Sequence, residues 1–539
     1  AWVRRTLVSL DFGIGGPDST WYHLTFAAEF AEGSVAHIPY TDVDFLTPFY
    51  PANVELLHAI GMTAFGTAAL SPLLSLAALV LGFLAGWCAG RPFGVAPVTL
   101  LATTAVLGVP ALLTSQAGEA KNDVASLAFL LAAVAFLLTG NRRTATFALA
   151  GAAAGLAVGT KLNLLAPTGA LFAATLVLHR RGAVAFAGAA LVTGGYWFAR
   201  NLVAVGNPLP FSGPLPRPDE PRSEDTLTTL ADYLFDGRAW DRFFLPGLDN
   251  TLGPLWFVLV AVALGAAVYA LARGTPVVRA VAVVALVTAA AYVVTPATAP
   301  GPEGRPVGFV LNVRYVLPAL LLGLCLLAIA ARRRAPIVAG ALAVLVLVTQ
   351  LAGDEVWKDE YARPAIVLTA LGLAALAVAT RFKAPVTIAA AVGAIVLTLG
   401  LWPLGRDFHD LQYTRALQPY TTWSLFQMEP VYEWARTQKG LEIGVSGAAQ
   451  FFQFPLRGPE LDNDVEVVGH HGEHGTFAPA RDCEEYGRAL AGRTHAIVSP
   501  YVDIWQPLIP QDTPELACLE MTGAREVLTS GQVHVFALR

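Results

Sequence analysis

Apolar stretches of about 18 residues or more recur along this chain, and that recurrence confines it to one kind of fold, a bundle of helices in a bilayer. The runs lie near 70–90, 94–113, 123–139, 144–160, 162–179, 182–202, 251–272, 277–296, 310–331, 335–352, 363–380 and 384–402. Only 14% of the residues are charged, against roughly a quarter in soluble domains. The net charge of −5 comes without a basic patch, so nucleic acid is not an expected partner. Many runs are rich in Ala, Gly, Val and Leu, which favours close helix packing in lipid. The expectation is a multi-pass protein of the cell membrane, with membrane lipid as its surroundings.

Charge placement orients the bundle. Alternate short connections are basic: Arg91; Arg142 and Arg143; Arg180 and Arg181; Arg273 and Arg279; Arg332 to Arg334; Arg381 and Lys383. Short loops rich in Arg and Lys face the cytoplasm. The complementary segments 1–69, 114–122, 203–250, 297–309 and 353–362 then lie outside, as does everything after Trp402. Outward placement of residues 1–69 ordinarily needs a helix to deliver it, so a first span missing from this chain is expected; the alternative is a true external N-terminus.

The predicted fold is mainly α, a polytopic membrane helix bundle of about 12 spans with a small external α/β C-terminal domain. Residues 1–69 form a first external loop, 70–402 the bundle, 403–428 a linker and 429–539 the external domain. Within the first loop, 19–32 and 51–66 have helical spacing but carry Glu29, Glu32, Glu55 and His58. They read as amphipathic helices lying in the interface. In the external domain, helices are predicted over Val431–Thr437 and Glu484–Leu490. Strands are predicted over Leu441–Ser446, Val465–Val468, His495–Val498 and Val533–Ala537. Cys88 and Cys325 lie in spans as small packing residues. Cys483 and Cys518 share the external domain, where a disulfide and two free thiols both remain open.

Four segments carry a resemblance. The first is Pro17-Asp18-Ser19-Thr20-Trp21-Tyr22-His23-Leu24, followed by Phe49-Tyr50-Pro51-Ala52-Asn53. The second is Gly118-Glu119-Ala120-Lys121-Asn122-Asp123, opening a span. The third is Tyr196-Trp197-Phe198-Ala199-Arg200-Asn201, then Gly206-Asn207-Pro208, and the fourth is Asn312-Val313-Arg314-Tyr315-Val316-Leu317-Pro318. In order and sidedness they resemble the GT-C type glycosyltransferases, integral membrane enzymes that use polyprenyl-phosphate sugars; the resemblance covers essentially the whole chain. It extends to the protein mannosyltransferases and the aminoarabinose transferase of lipid A. It implies that an acidic residue of the first external loop, here Asp18, deprotonates the acceptor hydroxyl. It implies a second acidic position at Glu119 or Asp123, and substrate contacts from Tyr22 and His23. The oligosaccharyltransferase branch uses a metal held partly by an Asp-x-Asp pair. No such pair occurs at 114–123, so no cofactor is assigned and a divalent metal stays open.

The residues bear their own reading. Asp18, flanked by Gly and Pro, can act as a base or can simply N-cap the helix near Ser19. Glu119 and Asp123 are four apart, so on a helix they would share one face; the helix dipole alone would also favour them there. Lys161, Arg200 and Arg314 are basic on the outer side, against the prevailing bias. They suit a departing polyprenyl phosphate, or else snorkel or pair with a loop carboxylate such as Asp219 or Glu303. Asp42-Val43-Asp44 reads as a solvated turn or an acid pair for a cation. His470-His471-Gly472-Glu473-His474 has metal-ligand residue types, but its glycines argue for a loop. The leading expectation is an inverting transferase with an acceptor hydroxyl on a glycan, glycolipid or protein. A lipid-linked sugar flippase and a scaffold with an external binding domain are the competing classes.

Overall fold

The computed structural model describes residues 1–33, 35–43, 46–141, 143–210, 215–218, 228–352, 360–381, 427–502 and 512–538. The expected span 384–402, nearly all of the linker 403–428, and Asp44, Arg142 and Asp219 lie outside the described residues.

The chain begins with α1 (Trp2–Phe12), a π-helical turn at Ser19–His23 running into α2 (Leu24–Glu32), and α3 (Asn53–Phe65). The bundle follows with α4 (Ser71–Gly90), α5 (Ala96–Leu107), α6 (Pro110–Ser115), α7 (Asp123–Leu138), α8 (Thr144–Val158), α9 (Leu165–Leu178), α10 (Arg180–Gly194) and α11 (Tyr196–Val205). After two short helices, α12 (Gly237–Ala239) and α13 (Leu245–Leu252), come α14 (Trp256–Arg273), α15 (Pro276–Val294), α16 (Phe309–Asn312), α17 (Leu317–Ala330), α18 (Ala335–Ala352) and α19 (Ala362–Arg381). Every expected span on described residues falls on a helix or on two. Five helical stretches are long and apolar enough to cross a membrane, six if α10 and α11 count as one bent span. Shorter apolar helices of 10–17 residues among the described residues include α5, α7 and α8.

Two spans break where the sequence gives cause. The expected span 94–113 divides after Leu107, where Gly108 and Pro110 intervene. The run 182–202 bends by 60° between α10 and α11, at Gly194-Gly195. The helix α1 was not foreseen at all. It packs against α4 and α19, and Trp2 donates its indole N–H to the Leu107 carbonyl at 3.1 Å.

Close contact within the bundle depends on small residues. A Cβ at Gly151 would come within 2.1 Å of the Phe186 carbonyl oxygen, and one at Gly155 within 2.4 Å of that of Ala190. With this spacing α8 and α10 pack nearly backbone to backbone, as small-xxx-small surfaces allow in lipid.

The C-terminal domain has α20 (Glu429–Arg436), β1 (Glu442–Ser446), β2 (Asp464–Val467), β3 (His470–His471), β4 (Phe477–Ala478), α21 (Cys483–Ala489), β5 (His495–Val498), α22 (Pro514–Thr522), β6 (Arg525–Ser530) and β7 (Val533–Ala537). Its main sheet runs β2-β1-β5-β7-β6, with β1 parallel to β2 and β5 and with β7 antiparallel to β5 and β6. Cys483 and Cys518 form a disulfide joining α21 to α22. This domain packs on the first loop: Leu24, Phe26 and Ala59 share a core with Tyr432, Ile443 and Phe454. Arg457, fully buried, ties it further by bonding Glu32 at 2.8 and 3.0 Å, Glu29, and the Val465 carbonyl at 3.0 Å.

Candidate active site

Three cations and two carboxylates meet where the first loop faces the N-terminal end of α7. Asp18 occupies the turn before Ser19–His23. Its side chain makes no cap bond to that turn; it pairs instead with Lys121 Nζ at 3.0 Å and Arg314 Nη2 at 3.2 Å. Asp123, the first residue of α7, pairs with Lys161 and lies 3.6 Å from Arg314 Nη1. It also accepts 2.7 Å from Gln116 Nε2. Arg314 therefore bridges two carboxylates from different loops. Lys161 and Arg314 both stand over the Tyr315 ring, 5.4 and 5.7 Å from its centroid.

The paired set carries three positive groups against two negative ones. Burial alone would raise the Asp18 pKa, but Lys121, Arg314 and His23 outweigh it and hold the carboxyl far below its usual range. Burial pushes the Lys161 ammonium down to about 8, although Asp123 pulls the other way. Asp18 is the most open member, with its side chain 23% exposed. Tyr22 lies half-buried beside it, its hydroxyl pKa raised well above the usual value by burial and by Asp18. That hydroxyl stays a proton donor at neutral pH.

The other expected residues take different places. Glu119 and Asp123 do not share a helix face, because α7 starts only at Asp123 and Glu119 sits in the turn before it. Half-buried Glu119 accepts from the Gly16 backbone N–H at 3.0 Å and from Ser19 Oγ at 2.7 Å. It staples the turn that carries Asp18 to the loop that carries Lys121. Gly16 permits this, since a Cβ there would fall 2.5 Å from Glu119 Oε2. His23 is buried, its Nδ1 2.5 Å from Glu55, whose Oε1 also accepts from Asn122 at 3.0 Å. The His23 ring centroid lies 4.1 Å from that of Tyr22. Arg200 is not brought to the cluster. Its guanidinium donates to the Pro48 carbonyl at 2.8 Å and to Asn201 Oδ1, and stacks over Trp197 at 5.0 Å.

Lys121 is the residue the sequence reasoning passed over. It lies in a segment singled out for other reasons, and it is a cation on the acidic side of the bundle, the same signal that marked Lys161. A divalent cation does not fit here. Both carboxylates already hold ammonium and guanidinium partners, and no group of three or more His, Cys, Asp or Glu side chains converges among the described residues. Asp42 is buried and accepts from the Trp21 indole, Thr41 and Thr47. His470 is paired with Glu485 at 2.7 Å.

The architecture is a fold shared with solved GT-C type glycosyltransferases. In particular, the chain is similar to the crystal structure of ArnT, the aminoarabinose transferase, from Cupriavidus metallidurans. The apo state matches at 20% identity over 99% of this chain and 95% of that one, with a TM-score of 0.53. The form bound to undecaprenyl phosphate matches at 20% identity over 99% and 96%, with a TM-score of 0.52. The apo oligosaccharyltransferase of Archaeoglobus fulgidus matches at 11% identity over 92% of this chain and 68% of its own, with a TM-score of 0.45. No protein-family model and no curated protein matches the sequence.

Proposed function

We propose that this protein is a membrane glycosyltransferase that moves a sugar from a polyprenyl-phosphate donor to an acceptor hydroxyl on the extracytoplasmic side, with inversion. The observation that carries this reading is the convergence of Lys121, Lys161 and Arg314 on Asp18 and Asp123 at one end of the bundle. The ArnT fold, known with undecaprenyl phosphate bound, supports a lipid-phosphate ligand for the same architecture.

The chemistry follows from the charges. With two cations on it, Asp18 is too weak a base to take a hydroxyl proton. A donor phosphate competes for Lys121, Lys161 and Arg314, and as they turn to it the Asp18 carboxylate recovers basicity. The acceptor oxygen then attacks the anomeric carbon while Asp18 takes its proton. The bond from that carbon to the phosphate oxygen breaks, and the electron pair leaves with the phosphate, where the cations stabilise it. Tyr22 is placed to donate a hydrogen bond beside the reacting centre. The acceptor is a hydroxyl of a glycan, a glycolipid or a protein.

Asp18→Asn tests this on purified protein supplied with polyprenyl-phosphate sugars. Turnover is expected to fall by roughly 10²-fold or more. Donor affinity should hold or rise, because the competing carboxylate is gone. Near-normal turnover in the variant would remove Asp18 from the base role. Donor binding without any transfer by the wild type would favour the flippase.

A further inference from the structure

At the opposite end of the bundle a cavity of about 160 Å³ opens between α7, α8, α9 and α15. Its floor is apolar, with Phe147, Leu171 and Val281, and its rim is polar and exposed at Asn141 and Thr275. His179 forms one wall. Its ring stacks on Phe147 at 4.8 Å, and its Nδ1 accepts the Gly182 backbone N–H at 2.8 Å. The ring proton of the neutral imidazole therefore sits on Nε2. Among the described residues that N–H has no hydrogen-bond partner.

The charge around the cavity is of one sign. Arg143, Arg180, Arg273 and Arg279 are each within two positions of a lining residue, and all four are exposed. No Asp or Glu occurs anywhere in 124–218 or 250–302, the stretches that supply every wall. Arg279 spends one donor on the Ala272 carbonyl at 3.4 Å; the remaining guanidinium donors face outward without a carboxylate from these segments.

We propose that this cavity is a binding site for one anionic phospholipid of the adjoining leaflet, with an acyl chain in the apolar floor and the phosphate held by His179 Nε2–H and the flanking arginines. A headgroup phosphate supplies the missing counter-charge at the depth where these side chains sit. Basic residues near a membrane surface attract anionic lipid by about 1 kcal/mol each. The cavity converts that diffuse attraction into one fixed position. The site is separate from the Asp18 cluster and does not depend on the transferase reading.

The test uses the full chain in nanodiscs of phosphatidylglycerol and phosphatidylcholine in equal parts, followed by delipidation and mass spectrometry of retained lipid. The wild type is expected to keep one phosphatidylglycerol in preference to phosphatidylcholine by on the order of tenfold. Ala174→Phe and Ala280→Phe, which fill the cavity from two helices, should each lose that copy while keeping the looser enrichment due to the arginines. Melting temperature serves as the fold control, and either variant alone decides the matter if the other fails it. Equal retention of both lipids by the wild type overturns the proposal. So does undiminished retention in a folded filling variant, which would mean that phosphatidylglycerol only coats the basic surface.

Discussion

Arg314 reaches two carboxylates with separate nitrogens, and a lysine cannot do that. Arg314→Lys should therefore weaken donor affinity measurably, and Arg314→Ala by on the order of 10²-fold, as loss of a desolvated charged partner does. Arg200 gives the contrast. Its bond to the Pro48 carbonyl ties α11 to the first loop, so Arg200→Ala should lower the melting temperature and leave donor affinity alone. Weakened donor binding at an unchanged melting temperature would instead give Arg200 the phosphate contact expected from the sequence. Lys161 adds a pH dependence. With its ammonium pushed down to about 8, it is charged below that pH and loses its proton above it. Donor affinity should fall as pH rises through 8, while Lys161→Arg should flatten the profile; a titration from neutral to pH ~10 checks this. Lys161 and Arg314 were legible in the sequence as cations on the acidic side of the bundle, and Asp18 and Asp123 as acids in the segments that carry the resemblance. Glu55 and Gln116 were not, since their partners lie 67 and 7 positions away and only the fold brings them together.

Helices were legible where the apolar run alone decides them and obscure where packing decides. Trp2–Phe12 contains Arg4, Arg5 and Asp11, too polar for a span, and it is helical because α4 and α19 cover one of its faces. The strand Arg525–Ser530 escaped for a different reason: it is a polar edge strand with a register irregularity between Glu526 and Leu528, so no alternation survives in it. The contact between α8 and α10 was legible only as composition, a wealth of Gly and Ala, and not as a site of closest approach. Its geometry sets an expectation. Gly155→Val would press a side chain against the Ala190 backbone, which cannot rotate away, and overpacking of this kind costs about 1–3 kcal/mol. Gly188→Val on α10 has open space around it and serves as the control. Thermal unfolding in detergent should separate the two, and equal melting temperatures would show that the helices can part without cost.

Across the whole molecule, four helices of the bundle each separate a site residue from an arginine loop. From Asp123, α7 leads to Arg143; α8 returns to Lys161; α9 leads on to Arg180; and Arg314 precedes α17, which ends at Arg332 to Arg334. The ion pairs of Asp123 with Lys161 and Arg314 place those starting points together at one end, so the arginines gather at the other. A helix of the length of α8 rises about 22 Å, enough to set the two charge layers on opposite sides of most of a hydrocarbon core. The C-terminal domain goes with the site, since Phe451 lies 5.0 Å from the Trp21 ring and its carbonyl accepts from Thr20. If the arginine layer faces the cytoplasm, the site and the domain face outward together. Single cysteines in a Cys88→Ser background decide this on intact cells, because Cys325 is buried and Cys483 and Cys518 are joined to each other. Glu433→Cys should react with an impermeant maleimide from outside, and Arg334→Cys only after the cells are opened. The reverse pattern would invert the bundle and put the transfer reaction on the cytoplasmic face; labelling of both positions in intact cells would mean that the two charge layers are not on opposite sides of the membrane at all.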